Sequence, residues 1–247
     1  MRSFRHGLKR TVAPPEPAGG YVVTILAGGS LGLAALVGVA ATYGWSPSPL
    51  TWYLARASGM LVYLLLWLAI VTGLGLTTTL LDRWGGRGVI YSVHRFATGL
   101  AYGFLWLHLL SLAADPTVQF GPRALFAPFA APWREPWTGL GVLAGWLTMV
   151  IGACFGVRRL IGYRAWRALH WLAFPQYWLA LLHGLGAGSD TNAAWARALY
   201  LVTGMVVVCL ISYRVLRAGT RWRAPRVTTL RPFDRFAPAP SRRPDRV

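Results

Sequence analysis

Charge is scarce in this chain, and negative charge is scarcer still. Only 13% of its 247 residues are Asp, Glu, Lys or Arg, against about a quarter in a soluble domain. That shortage excludes an ordinary soluble globular protein. The 7 acidic residues stand against 25 basic ones, for a net charge of +18. The basic residues form no groove-sized patch; they gather at the two ends and in two short loops. That pattern argues against nucleic acid as a partner and suits cytoplasmic membrane loops. Cysteine is nearly absent. Cys154 and Cys209 both stand in apolar stretches without metal-ligand spacing, which excludes a thiolate metal site and a disulfide framework. Both are expected to be small buried residues. No cleavable signal peptide is evident either. The first apolar run starts at Tyr21 after a basic, Pro-rich leader, with no cleavage site behind it, so it is expected to be a membrane span.

What is present is apolar and aromatic: 55% hydrophobic residues, with 13 Trp and 10 Tyr, rings that settle at membrane interfaces. A span needs about 20 mostly apolar residues. Six stretches qualify, at 21–43, 53–80, 89–113, 138–157, 167–187 and 195–216, and none contains Asp, Glu or Lys. Turn chemistry separates them: YGWSPSPLT, LDRWGGRG, the Pro-rich 115–136, VRRLIGYR and GAGSDTN. Arg and Lys crowd the leader (Arg2, Arg5, Lys9, Arg10), loop 2–3 (Arg83, Arg87), loop 4–5 (Arg158, Arg159, Arg164, Arg167) and the tail, while the other loops are poor in them. Basic and non-basic sides alternate strictly, which puts both termini in the cytoplasm. The expectation is an all-α membrane protein of six transmembrane helices in a prokaryotic plasma membrane. A basic cytoplasmic leader (1–20) precedes the six-span domain (21–217). A basic tail (218–247) is expected to be disordered and to lie on anionic membrane lipid.

Four histidines interrupt this apolar background. His94 and His108 lie in the third stretch, within VHRFATGLAYGFLWLH; His170 and His183 lie in the fifth, within LHWLAFPQYWLALLH. Ionisable groups in a span are costly and mark function by default. Both stretches are odd-numbered, so they run in the same direction from cytoplasm to outside. At a rise of about 1.5 Å per residue, His108 stands about 21 Å above His94, and His183 about 20 Å above His170. The depths match, so His94 pairs with His170 and His108 with His183. A single span histidine can simply hydrogen-bond a neighbouring helix, but four at matched depths fit that poorly. Zinc or copper accepts imidazole, yet pairs about 20 Å apart along the helices cannot share one ion. Two imidazoles filling both axial positions of a haem iron leave outer-sphere electron transfer as its chemistry. The azimuths are uneven. Fourteen residues bring His108 back to within about 40° of His94, while thirteen leave His183 about 140° from His170 on an ideal helix. Pro175 between them is expected to distort that helix.

The stretches ARASGMLVYLLLWLAIVTGLGL, VHRFATGLAYGFLWLH and IGYRAWRALHWLAFPQYWLALLHGLGAGSDT, with their paired histidines, resemble the ferric reductase-like transmembrane domain family. That family includes the membrane halves of ferric reductases and NADPH oxidases and the haem-binding subunit of bacterial methionine sulfoxide reductase systems. The resemblance covers residues 52–217. It implies two b-type haems, ligated by His94 with His170 and by His108 with His183 between spans 3 and 5. It also implies an oxidoreductase membrane component that carries electrons from a cytoplasmic donor to an acceptor outside. No GxGxxG follows a strand, and no dinucleotide fold is expected in this sequence. The electrons are therefore expected from a cytoplasmic flavoprotein, a quinol, or FMN or FAD held loosely here or on a partner. A periplasmic protein is the expected acceptor. The runner-up is a quinol-linked haem subunit serving a separate periplasmic reductase. A different class is a transporter or scaffold without haem, whose histidines relay protons or pack helices. Arg56, in WYLARASGM, either pairs with a propionate of the outer haem or snorkels to the interface. The outer loop DPTVQFGPRALFAPFAAPWREPW either folds over the outer haem or serves as a surface connector.

Overall fold

The structure, a computed structural model, describes residues 50–78, 80, 81, 86–118 and 120–223, with side chains as far as 218. The leader, the first apolar stretch, Arg83 and nearly all of the tail lie outside the described residues. Among the described residues the chain is all-α, with seven helices: α1 Leu50–Thr78, α2 Gly86–Ala114, α3 Pro122–Phe126, α4 Glu135–Gly156, α5 Arg158–His170, α6 Ala173–Ala187 and α7 Ala194–Arg223. Four of them, α1, α2, α4 and α7 (over Ala194–Ala218), are long and apolar enough to cross a membrane.

The fifth apolar stretch departs from expectation. It is not one helix over 167–187 but two, broken at Trp171 and Leu172. α6 has 15 residues, about 22 Å of helix, less than the hydrocarbon thickness of about 30 Å. Pro175 is not the break. It falls in the first turn of α6, whose N-cap is Leu172, where a proline forfeits no intrahelical hydrogen bond. Pro122 and Pro136 take the same place in α3 and α4. α5 is itself kinked at Gly162, whose φ of 80° only glycine adopts at little cost.

α1 and α2 pack along each other, as do α4 and α6, while α1 also meets α6 and α7. α1 and α2 run antiparallel, with Gly59 against His108 and Gly73 against His94, as do α4 and α6, with Gly141 against His183 and Gln176 donating to Thr148. α1 and α7 run parallel, since Met60 meets Tyr200 and Arg217 donates to the Thr78 carbonyl. The main core is Tyr63, Ile70 and Leu74 of α1, Tyr177 and Leu181 of α6, and Tyr200 and Val207 of α7. Most polar groups inside it are paired, Trp67 Nε1 being buried without a hydrogen-bond partner. The Tyr63 hydroxyl bonds those of Tyr177 at 3.2 Å and Thr203 at 2.5 Å, and Ser58, Thr72 and Thr78 bond carbonyls one turn back. Interhelical bonds of this kind contribute on the order of 0.6–2 kcal/mol each in a bilayer. Outward, α7 presents Leu201, Val202, Met205, Val208, Val215 and Leu216, the apolar exterior that lipid requires. Cys209, expected to be buried, is among the exposed residues of that helix, while Cys154 is half-buried.

Candidate functional site

The four histidines come together in two pairs at opposite ends of the bundle. The rings of His94 (α2) and His170 (the last residue of α5) have centres 6.2 Å apart, at an interplanar angle of 73°. Those of His108 (α2) and His183 (α6) stand 6.5 Å apart, at 76°. A metal held between two imidazole nitrogens at about 2 Å each, with each nitrogen about 1 Å from its ring centre, needs centres about 6 Å apart. The two spacings therefore fit one ion per pair. The break at Trp171 and Leu172 removes the azimuthal conflict, because His170 and His183 sit on different helices and need not share one ideal face.

Three of the rings are oriented by a neighbouring helix. His94 Nδ1 donates to the Ala69 carbonyl at 2.9 Å, His108 Nδ1 to the Ala55 carbonyl at 2.7 Å, and His183 Nδ1 to the Trp137 carbonyl at 2.9 Å. A proton committed to Nδ1 leaves the lone pair on Nε2, the tautomer suited to metal binding. His170 is held differently, by the Trp166 ring stacked on it at 5.4 Å and 20°. A glycine faces the ring in all three carbonyl-bonded cases, and the close approach requires it at Gly141 and Gly59. A Cβ on Gly141 would stand 2.5 Å from the His183 ring, one on Gly59 3.0 Å from His108, and one on Gly73 3.4 Å from His94. Sequence reasoning missed these glycines. Nothing in a run such as TGLGLTTTL distinguishes the glycine that faces a ring from the one that faces a leucine.

Each pair lines a cavity. The outer one, about 260 Å³, is walled by His108, His183, Arg56, Trp52, Tyr63 and the connecting segment's Phe120 and Trp133. The inner one, about 700 Å³, is walled by His94, His170, Trp171, Phe174, Tyr177 and five arginines. Leu66 and Thr148 belong to both walls. Of the aromatics in the two histidine-bearing stretches, Trp106 lines the outer cavity and Trp171 and Phe174 the inner one, while Phe104 and Trp178 pack against the apolar core. Among the described residues no cluster of three or more His, Cys, Asp or Glu is poised around one point. An ion between either pair would have two protein ligands and would need the rest from elsewhere. A porphyrin supplies four nitrogens in the plane between two axial histidines, so the donor set fits haem.

Arg56 finds a partner the sequence did not name. Its guanidinium grips the Asp190 carboxylate with two donors, Nε at 3.2 Å and a second, shorter contact. That hydrogen bond holds the Asp190 carboxyl below the usual carboxylate range. Arg56 still lines the outer cavity. The long outer segment does fold over this end. Phe120, Ala124 and Ala131 form a small apolar cluster. Trp133 and Arg134 donate to the carbonyls of Gly186, Ala187 and Gly188 at the end of α6, the negative end of that helix's dipole. Arg134 adopts φ 42° to do so, a conformation uncommon outside glycine. Arg95 and Arg167 line the inner cavity.

The chain matches no protein-family model, no curated protein and no solved structure.

Proposed function

We propose that this protein is the membrane component of a reductase, carrying electrons across the bilayer through two b-type haems. His94 and His170 would hold the inner haem, His108 and His183 the outer one. The observation that carries the reading is the pair of ring spacings, 6.2 and 6.5 Å, each near the roughly 6 Å that two axial imidazoles on one metal require. Haem iron with both axial positions filled supplies outer-sphere one-electron chemistry.

The chain's own residues prepare that chemistry. The Ala55, Ala69 and Trp137 carbonyls fix ring orientation and tautomer. The glycines opposite the rings let the helices close around them. Tyr63 lines the outer cavity and Tyr177 the inner one, and their buried rings stack 5.9 Å apart. Electrons are proposed to enter at the arginine-rich inner end from a flavoprotein, a flavin (FMN or FAD) or a quinol. They leave at the outer end to a periplasmic partner, in the multi-pass arrangement that four membrane-length helices support.

Detergent-purified protein, expressed with ample haem supply, is expected to give a b-type reduced-minus-oxidised spectrum with about two haems per chain. His94→Ala and His170→Ala should each remove the same haem, and His108→Ala and His183→Ala the other. Protein that folds without binding haem overturns the proposal, and crossed losses overturn the pairing.

A further inference from the structure

The arginines of the inner cavity have a chemistry of their own. Arg158, Arg159 and Arg167 of α5 and Arg214 of α7 all line it, and among the described residues no Asp or Glu does. Two helices thus converge like charges on one space, and Arg167 and Arg214 lie close enough to repel each other. The guanidiniums are steered by aromatic rings instead. Arg158 lies 4.0 Å over the Phe155 ring, Arg214 lies 4.9 Å over Trp171, and Arg167 donates to the Tyr163 hydroxyl at 2.8 Å. Rings hold a guanidinium in place without neutralising it, so its hydrogen-bonding edge stays charged. Converging positive charge in a cavity draws an anion, and planar guanidinium forks match the oxygens of phosphate two at a time.

The depth of the cavity points the same way. α5 has no buried residue. It alternates arginines with exposed apolar side chains, Leu160 at 87% exposure and Tyr163 at 63%. An amphipathic helix of that kind lies in the membrane interface, at the level of the lipid phosphates, and basic pockets between spans on the cytoplasmic side hold anionic head groups.

We infer that the inner cavity is a phosphate-binding site, formed by Arg158, Arg159, Arg167 and Arg214, that takes the phosphate of an anionic lipid head group or of a soluble phosphorylated molecule. The inference does not rest on haem. The two readings have separate readouts, retained phosphorus for this site and the haem spectrum for the histidine pairs, so each can fail without the other.

The test uses full-length, delipidated protein in a neutral detergent. Thermal unfolding is followed with added phosphatidylglycerol, phosphatidylcholine or inorganic phosphate at equal phosphorus concentration, and bound phosphorus is counted after repurification. Phosphatidylglycerol is expected to raise the unfolding temperature and to be retained, with phosphatidylcholine far weaker. Arg159→Gln combined with Arg167→Gln should weaken this at least tenfold, and the same pair changed to Lys should fall between. The Lys pair separates loss of charge from loss of fold. A response to inorganic phosphate but not to phosphatidylglycerol supports the site and assigns it to a soluble phosphorylated molecule. Equal responses to the two lipids, or an undiminished response in the Gln pair, overturn the inference.

Discussion

At the scale of single residues, the rings of His94, His108 and His183 each pack against a glycine of a neighbouring helix. An imidazole in an apolar run stands out because the bilayer penalises it. The glycine beside it does not stand out, because glycines are common in packed membrane helices. The distances rank the three glycines and so make a graded prediction. Alanine at Gly141 would put Cβ 2.5 Å from the His183 ring, whereas at Gly73 the contact with His94 would be 3.4 Å. Overpacking costs roughly 1–3 kcal/mol. Gly141→Ala should therefore lower outer-site haem content most, Gly59→Ala (3.0 Å from His108) less, and Gly73→Ala scarcely at all. Haem-to-protein ratios of the three purified variants check the order, and a reversed order would show that the rings do not depend on this packing. Asp190 gives a second prediction at this scale. Its carboxyl is depressed by the hydrogen bond from Arg56. Its stabilising contribution is therefore present above the ordinary carboxyl value of 3.8 and is lost as pH falls through the lower folded value. Unfolding temperature measured from pH 6 down to 3 should show this acid-side loss in wild type and a smaller loss in Asp190→Asn. A pair this exposed to solvent contributes modestly, so the comparison of slopes, not the absolute shift, is the readout.

At the scale of elements, the step of fourteen residues between His94 and His108 could be read from helix geometry, and the step of thirteen between His170 and His183 could not. The reason is local. Trp171 (φ −63°, ψ −21°) and Leu172 (φ −61°, ψ −14°) break the helix while staying close to helical dihedrals. A turn of that kind requires neither glycine nor proline, so the sequence carries no punctuation at the break. The proline that does appear, Pro175, belongs to the first turn of the next helix, where it initiates and does not interrupt. Pro175→Ala should accordingly keep both histidine pairs and the haem content unchanged. It should cost only about 0.4–1 kcal/mol through the freer unfolded chain, read as a small fall in unfolding temperature. Loss of the inner haem in this variant would mean that the proline, and not the turn before it, sets the angle between α5 and α6. The Gly162 kink (φ 80°) illustrates the opposite case, since a glycine inside VRRLIGYR marks its own turn.

At the scale of the whole molecule, loop charge and residue spacing gave the same arrangement from independent physics. Alternation of loops with and without net positive charge implied that the third and fifth apolar stretches run in the same direction. The structure has His94 beside His170 and His108 beside His183, which only a shared direction allows. The charge asymmetry extends to the ends of the bundle. The described carboxylates Asp115, Glu135 and Asp190 follow α2, open α4 and follow α6, all at the end where Arg56 pairs with Asp190. Arg158, Arg159, Arg167 and Arg214 surround the cavity at the other. Positive charge resists translocation, so the arginine end should remain in the cytoplasm and the carboxylate end should face outward. Glu135 and Arg159 are both exposed and mark the two ends. In intact cells a membrane-impermeant thiol reagent should label Glu135→Cys at once and Arg159→Cys only after the membrane is opened. The natural Cys154 and Cys209 lie in helices expected to cross the bilayer, and the unmodified chain sets their background. Labelling of Arg159→Cys from outside would invert the orientation. It would put the arginine-lined cavity on the side of the acceptor and reverse the proposed direction of electron flow while leaving both histidine pairs intact.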